Sequence, residues 1–152
     1  MKTARIASQS RSHLDERFLE IGGATRFAPP VRGWIKALRE GLGMSSAQLA
    51  SRLGVKQPSV TAMEQSEASG TIELATLRRT AQALDCTLVY ALIPNRPLAA
   101  IVRDRARMLA RRHLMSVEHS MLEGQKLDEK NFEVRLDRLV GEMNPRRLWD
   151  ES

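Results

Sequence analysis

The sequence has 152 residues, 24 Lys and Arg against 18 Asp and Glu, a formal net charge of +6, and one cysteine. That length suits one domain of roughly 100–150 residues with a small appendage, large enough to bury a core without staples. A lone Cys86 excludes an internal disulfide and a cysteine-based metal site, so a reducing, cytoplasmic setting is expected.

No run approaches the ~18 apolar residues of a membrane span, and the acid-containing N-terminal stretch has no signal-peptide core. Aromatic residues are only 4% of the chain, which argues against a binder of single strands that works by base stacking. The charge is uneven. Residues 1–117 hold 18 basic and 9 acidic side chains, whereas residues 118–152 hold 6 basic and 9 acidic. Nineteen of the basic residues are Arg, whose planar fork suits phosphate and guanine. A basic body with an acidic tail points to a polyanion partner for the body.

In chain order, residues 1–22 predict an amphipathic helix with Ala4, Ala7, Leu14, Phe18 and Ile21 on one stripe. Gly22-Gly23 ends it, and Pro29-Pro30 stiffens the linker that follows. A helix is expected at about 31–42, burying Val31, Ile35, Leu38 and Leu42 with Trp34 nearby. A short helix at about 46–53 follows, with Ser45 as its N-cap and Leu49, Ala50 and Leu53 inward. Gly54 supplies a positive φ for a tight turn. A third helix is expected at about 57–65, with Val60 and Met63 inward and Pro58 tolerated in its first turn. Residues 66–70 read as a polar loop, and 72–84 as a helix with Leu74, Leu77, Ala81 and Leu84 inward. The apolar run Leu88–Ile93, closed by Pro94, reads as a short buried strand.

Residues 98–123 predict one long helix, with Leu98, Ile101, Val102, Met108, Leu109, Met115 and Leu122 in a wide apolar arc. Arg103, Arg107 and Arg111 line its opposite face, while Arg105 and Arg112 fall inside the arc. The arc is either a dimer seam, since 101, 108, 115 and 122 repeat every seven, or a face packed on 1–22 and 129–142. The Arg face either meets flanking phosphates or a partner, or is a solvated helix face. A last helix at about 129–142 follows an Asp128 cap, and the tail from Pro145 is loose unless Leu148-Trp149 docks. The chain thus divides into residues 1–30 (helix and linker), 31–94 (the motif-bearing domain) and 95–152 (a helical extension for dimerisation or partner binding).

The two short helices joined by Leu53-Gly54-Val55, with inward residues at 49, 50, 53, 55, 60 and 63, describe a helix-turn-helix. Small Ala50 allows close approach, Gly54 takes the turn, and the free face of the second helix suits a major groove. The alternative is a helix-turn-helix kept for protein contact. The arrangement resembles the lambda repressor/Cro-type (XRE) family, which implies a mainly α, five-helix DNA-binding domain. Carried over residue by residue, Ser45, Ser46 and Gln48 would touch phosphate. Lys56, Gln57, Ser59, Thr61, Ala62 and Gln65 would face the groove. Ser46 stands where many relatives have Gln, and Ala62 where a basic residue is common, so base reading falls chiefly on Gln57, a residue able to pair bidentately with adenine.

Over a longer stretch, Thr71–Arg79, Ala83–Pro94 and the Arg- and Met-rich helix after Pro97 resemble the bacterial family called mobile mystery protein A. That resemblance implies an autoregulatory repressor, or an antitoxin, paired with a Fic-domain protein. The Fic-inhibiting motif Ser/Thr-x-x-x-Glu-Gly/Asn is not reproduced. Ser120-Met121-Leu122-Glu123-Gly124 is one spacer short, and His119 stands at the Ser/Thr position.

His13, His113 and His119 lack metal-ligand spacing, no Gly-rich phosphate loop follows a strand, and no nucleophile–base–acid set stands out. No enzyme activity, cofactor or metal is therefore expected. Insertion of 98–117 into a lipid surface is disfavoured by the acidic segment after it. The expected partners are double-stranded DNA with a palindromic operator, a second copy of the chain, and a Fic-domain protein.

Overall fold

The computed structural model describes residues 2–120 and 129–150. Within them run α1 (Lys2–Ile21), α2 (Trp34–Gly41), α3 (Ser46–Leu53), α4 (Gln57–Ser69), α5 (Leu74–Ala83), α6 (Leu98–Ser120) and α7 (Glu129–Glu142). Two 3-10 turns cover Ala24–Phe27 and Pro145–Trp149. The chain packs as two units: Ala24–Leu92 is one, and the segments up to Gly23 and from Ile93 form the other.

In the unit Ala24–Leu92, α2 to α5 close around Ile35, Leu49, Ala50, Val60 and Leu84. Each of these side chains is almost fully removed from water, which is the main favourable term for so small a unit. Thr80 is also fully buried and satisfies its hydroxyl on the Thr76 carbonyl at 2.9 Å. Helix α2 begins three residues later than the periodicity suggests. Gly33 sits at φ 86°, outside the helical region, so Val31 and Arg32 stay in the turn and Val31 is 98% exposed. Leu42, just past the end of α2, is also exposed.

The start of α2 is held from a distance. Glu67 accepts the Trp34 and Ile35 backbone N–H groups, one on each carboxylate oxygen and both at 2.8 Å, which satisfies two of the donors a helix leaves open at its N-terminus. A Cβ at Gly33 would lie 2.7 Å from Glu67 Oε2, so the glycine serves both the positive φ and the carboxylate's approach. This accounts for the expected loop at 66–70. Helix α4 continues through it to Ser69 because Glu67 must be carried on a rigid helix, and Gly70 ends α4 at φ 77°. Helix α5 starts at Leu74, which is itself half exposed.

A buried ion pair ties the same two helices together. Arg39 Nε donates to Glu64 Oε1 at 2.6 Å and its Nη2 to Oε2 at 3.3 Å. Its Nη1 donates to the Met44 carbonyl at 2.9 Å. Both residues are more than nine-tenths buried, and the bond to Glu64 holds the Arg39 pKa above its ordinary value against the opposing effect of burial.

Residues 24–92 hold four α-helices rather than five, and no strand occurs among the described residues. Asp85 ends α5 in the left-handed region at φ 57°. Beyond it, the expected strand at Leu88–Ile93 has no ladder partner, and a strand exists only through its ladder. Nor is it buried: Val89, Tyr90 and Leu92 are 77%, 65% and 89% exposed.

In the other unit, Asp15 of α1 accepts the Leu98 and Ala99 N–H groups at 2.7 and 3.1 Å, capping the start of α6. Ala110 and Leu114 of α6 form a core with Leu136 of α7, flanked by Phe132, Leu139, Val140 and Met143. The buried stripe of α6 is therefore 106, 110 and 114, rotated away from the expected arc, and Met108 and Met115 are left exposed. Arg105 belongs to this packing, because its Nε donates to the Leu148 carbonyl at 2.8 Å. That bond and the burial of Leu148 dock the segment expected to be loose, while Trp149 stays half exposed. Arg112 is exposed. The expectations for Leu122, the Asp128 cap and the 121–124 part of the motif lie outside the described residues.

Removing one partner of the buried pair leaves an uncompensated charge, so Arg39→Met alone or Glu64→Leu alone lowers stability by about 3–5 kcal/mol. The double substitution costs much less than the sum of the two. Denaturant titration of the three variants checks this, and strictly additive losses would refute the coupling. Gly33→Ala is expected to cost about 1–3 kcal/mol, through the positive φ and the displaced carboxylate. An unchanged unfolding midpoint would show that Glu67 does not hold α2.

Candidate nucleic-acid interface

The sequence from Ser45 to Gln65 builds two helices and a three-residue turn. Ser45 Oγ accepts the Gln48 N–H at 3.1 Å, and Gln48 Oε1 accepts the Ser45 N–H at 2.8 Å. This reciprocal box fixes the start of α3. It also occupies the Gln48 carbonyl oxygen and leaves that side chain's amide hydrogens free to donate outward. The Ser46 and Ala47 N–H groups make no hydrogen bond within the described residues. They lie at the positive end of the helix, a position that favours anions.

Gly54 ends α3 at φ 67°, and Val55 donates back to the Ala50 carbonyl at 3.0 Å. The turn therefore resolves in three residues, Gly54-Val55-Lys56, before Gln57 opens α4 with Pro58 in its first turn. Proline costs nothing there, because that N–H has no intrahelical acceptor.

Helix α4 divides sharply by face. Val60 and Glu64 are buried and Met63 is half buried, whereas Gln57, Pro58, Thr61, Ala62 and Gln65 are exposed. At 100° per residue the exposed set fills one continuous arc of the wheel. Ser59 lies on the border of that arc and is half buried. Of the residues expected to face a groove, Lys56, Gln57, Thr61, Ala62 and Gln65 share one open surface, and Ser59 sits at its edge. Of those expected on phosphate, Ser45 and Gln48 are exposed and Ser46 is half buried.

The arginines of α6 are placed differently. Arg107 reaches Glu133 Oε2 at 2.7 Å and Asp137 Oδ1 at 3.2 Å. Arg111 lies 3.9 Å from Glu133 and 5.8 Å from the centre of the Phe132 ring. Arg103 is exposed, 3.9 Å from Asp104. This face of α6 is covered by acidic side chains of α7.

Sequence reading missed four residues that position the interface or its neighbour: Arg39, Glu64, Glu67 and Asp15. Two of them carried a usable signal. Arg39 stands four residues after Ile35 and Glu64 four after Val60, so each is a charge on an inward stripe, and opposite charges on two such stripes predict a pair. Glu67 and Asp15 sit in amphipathic patterns with nothing local to mark them.

Among the described residues no helix is long and apolar enough to cross a membrane. Neither a curated protein nor a solved structure matches the chain. Residues 35–90 match the family model described as Helix-turn-helix, so the buried pair, the capped α3 and the two-faced α4 belong to a helix-turn-helix domain of the XRE type, a DNA-binding regulatory module.

Proposed function

We propose that the protein is a sequence-specific DNA-binding transcriptional regulator that represses its own operon. The observation that carries this reading is the division of α4. Its inner face is pinned to α2 by the Arg39–Glu64 pair, while its outer arc of Gln57, Thr61, Ala62 and Gln65 is free. A major groove of B-DNA accepts a helix of this size.

In the proposed mechanism the open N–H groups of Ser46 and Ala47, the Ser45 hydroxyl, the Gln48 amide and Lys56 meet phosphate oxygens and set the register. Gln57 presents its carboxamide to a base edge, where adenine offers the matching donor and acceptor. One helix of this length reads only a half-site, so two copies sit on a palindromic operator, and their occupancy excludes polymerase. Arg107 and Arg111 contribute to phosphate binding only after leaving Glu133 and Asp137. Neutralisation of a Fic-type enzyme by contact through residues 95–152 is a second reading, and its support is the sequence resemblance alone.

Gln57→Ala is expected to narrow the affinity gap between operator and random duplex by about 1–3 kcal/mol, leaving the salt dependence unchanged. Lys56→Ala is expected to weaken binding to all duplexes and flatten the log–log salt slope by about 1. Fluorescence anisotropy on a footprinted fragment from upstream of the gene measures both. Unchanged discrimination in Gln57→Ala sinks the base-reading role.

A further inference from the structure

From Cys86 to Pro94 the chain runs without helix, turn or bend, and Asp85 is the only non-glycine residue with positive φ among the described residues. This is a straight segment with strand-compatible backbone. No hydrogen bond engages the backbone from Thr87 to Leu92. The side chains are uncharged and mostly apolar, yet Val89, Tyr90 and Leu92 lie 77%, 65% and 89% in water. A well-formed apolar run with every ladder group unused is an edge that another strand completes.

We propose that Thr87–Leu92 pairs antiparallel with the same segment of a second copy, about a two-fold axis through Tyr90. The unused backbone groups restrict the occupant to a strand, since neither a helix nor a lipid surface supplies alternating donors and acceptors. The second copy is singled out by self-complementarity. With Tyr90 facing its own counterpart, Leu88 lies opposite Leu92 and Val89 opposite Ala91 on both halves. Pro94, which has no N–H to give, falls opposite Cys86 and stops the ladder. The segment is bounded by Asp85 at one end and Arg96 at the other, so antiparallel pairing brings ends of opposite charge together.

The area sets the strength. Three large side chains and a six-residue ladder hide a few hundred Å² per copy, well under the ~800 Å² per partner of a stable complex. The dimer is therefore weak and concentration-dependent in free solution, and two half-sites on one duplex hold it together by raising the local concentration. The pairing does not depend on DNA binding. Only its role on an operator rests on the function proposed above.

Sedimentation velocity of the full chain over micromolar concentrations is the test. The wild type is expected to move from monomer to dimer as concentration rises. Val89→Lys/Leu92→Lys is expected to raise the dimer dissociation constant at least about tenfold. Because both side chains are exposed in the single chain, the helical circular dichroism and melting midpoint stay as in the wild type. In a Cys86→Ala background, Tyr90→Cys is expected to cross-link to itself under mild oxidation, and Thr87→Cys is not.

A chain that stays monomeric throughout overturns the proposal. So does a dimer that survives the lysine pair and gives no Tyr90→Cys cross-link. Binding of the lysine variant to a single half-site separates the two ideas: if that binding persists while dimerisation is lost, both readings stand. If no half-site binding occurs in a chain that still dimerises, the DNA reading alone falls.

Discussion

The Arg39–Glu64 pair is the constraint on which the helix-turn-helix depends. One guanidinium spends its donors on a carboxylate of α4 and on the Met44 carbonyl just ahead of α3, while its own backbone lies in α2. Three elements are thereby referenced to one planar group whose fork has a fixed geometry. Desolvating two charges is costly, so such a pair is a poor source of net stability. What it supplies is direction. Hydrophobic contacts among Leu49, Val60 and Leu84 tolerate sliding, but a bidentate bond at 2.6 and 3.3 Å does not. The outer arc of α4 inherits that orientation.

A second device recurs in both units. Two helices have their first N–H groups capped by a carboxylate from a distant part of the sequence: Glu67 caps α2 and Asp15 caps α6. A local cap fixes only where a helix begins. A cap arriving from 32 or 83 residues away also fixes which other helix lies against that end, so one interaction serves both local structure and packing. By contrast α3, which carries the proposed phosphate contacts, is capped from within by Ser45 and Gln48. Its N-terminal end is thereby left open to solvent.

Much of the interface was legible because it is local. The 46–53 helix, its Ser45 cap, the Gly54 turn and the inward Val60 follow from spacing and from residue chemistry within one or two turns, and the model places them there. The errors lie where a distant residue decides. The loop expected at 66–70 is helix because Glu67 is engaged at Trp34 and Ile35. The tail from Pro145 is docked because Arg105 holds the Leu148 carbonyl. The strand expected at 88–93 was inferred from apolarity alone, and apolarity does not say whether a partner lies within the same chain. The α6 arc went astray by weighing large residues over small ones, since Ala106 and Ala110 are the points of closest helix approach.

The pairing of α6 arginines with α7 carboxylates bears on how charge is spent. Residues 94–117 carry six basic side chains and one acidic, the densest positive stretch of the chain. Yet Glu133 and Asp137 already occupy Arg107, and Glu133 lies within ion-pair reach of Arg111. Helix α7 thus acts as a built-in competitor for any polyanion: a phosphate reaches Arg107 only by displacing two carboxylates. These pairs are solvent-exposed, and each is worth on the order of 1 kcal/mol or less, so the competition is a threshold rather than a block. A loosely approaching polyanion gains little from this face, whereas one already anchored elsewhere can exchange carboxylate for phosphate at small cost.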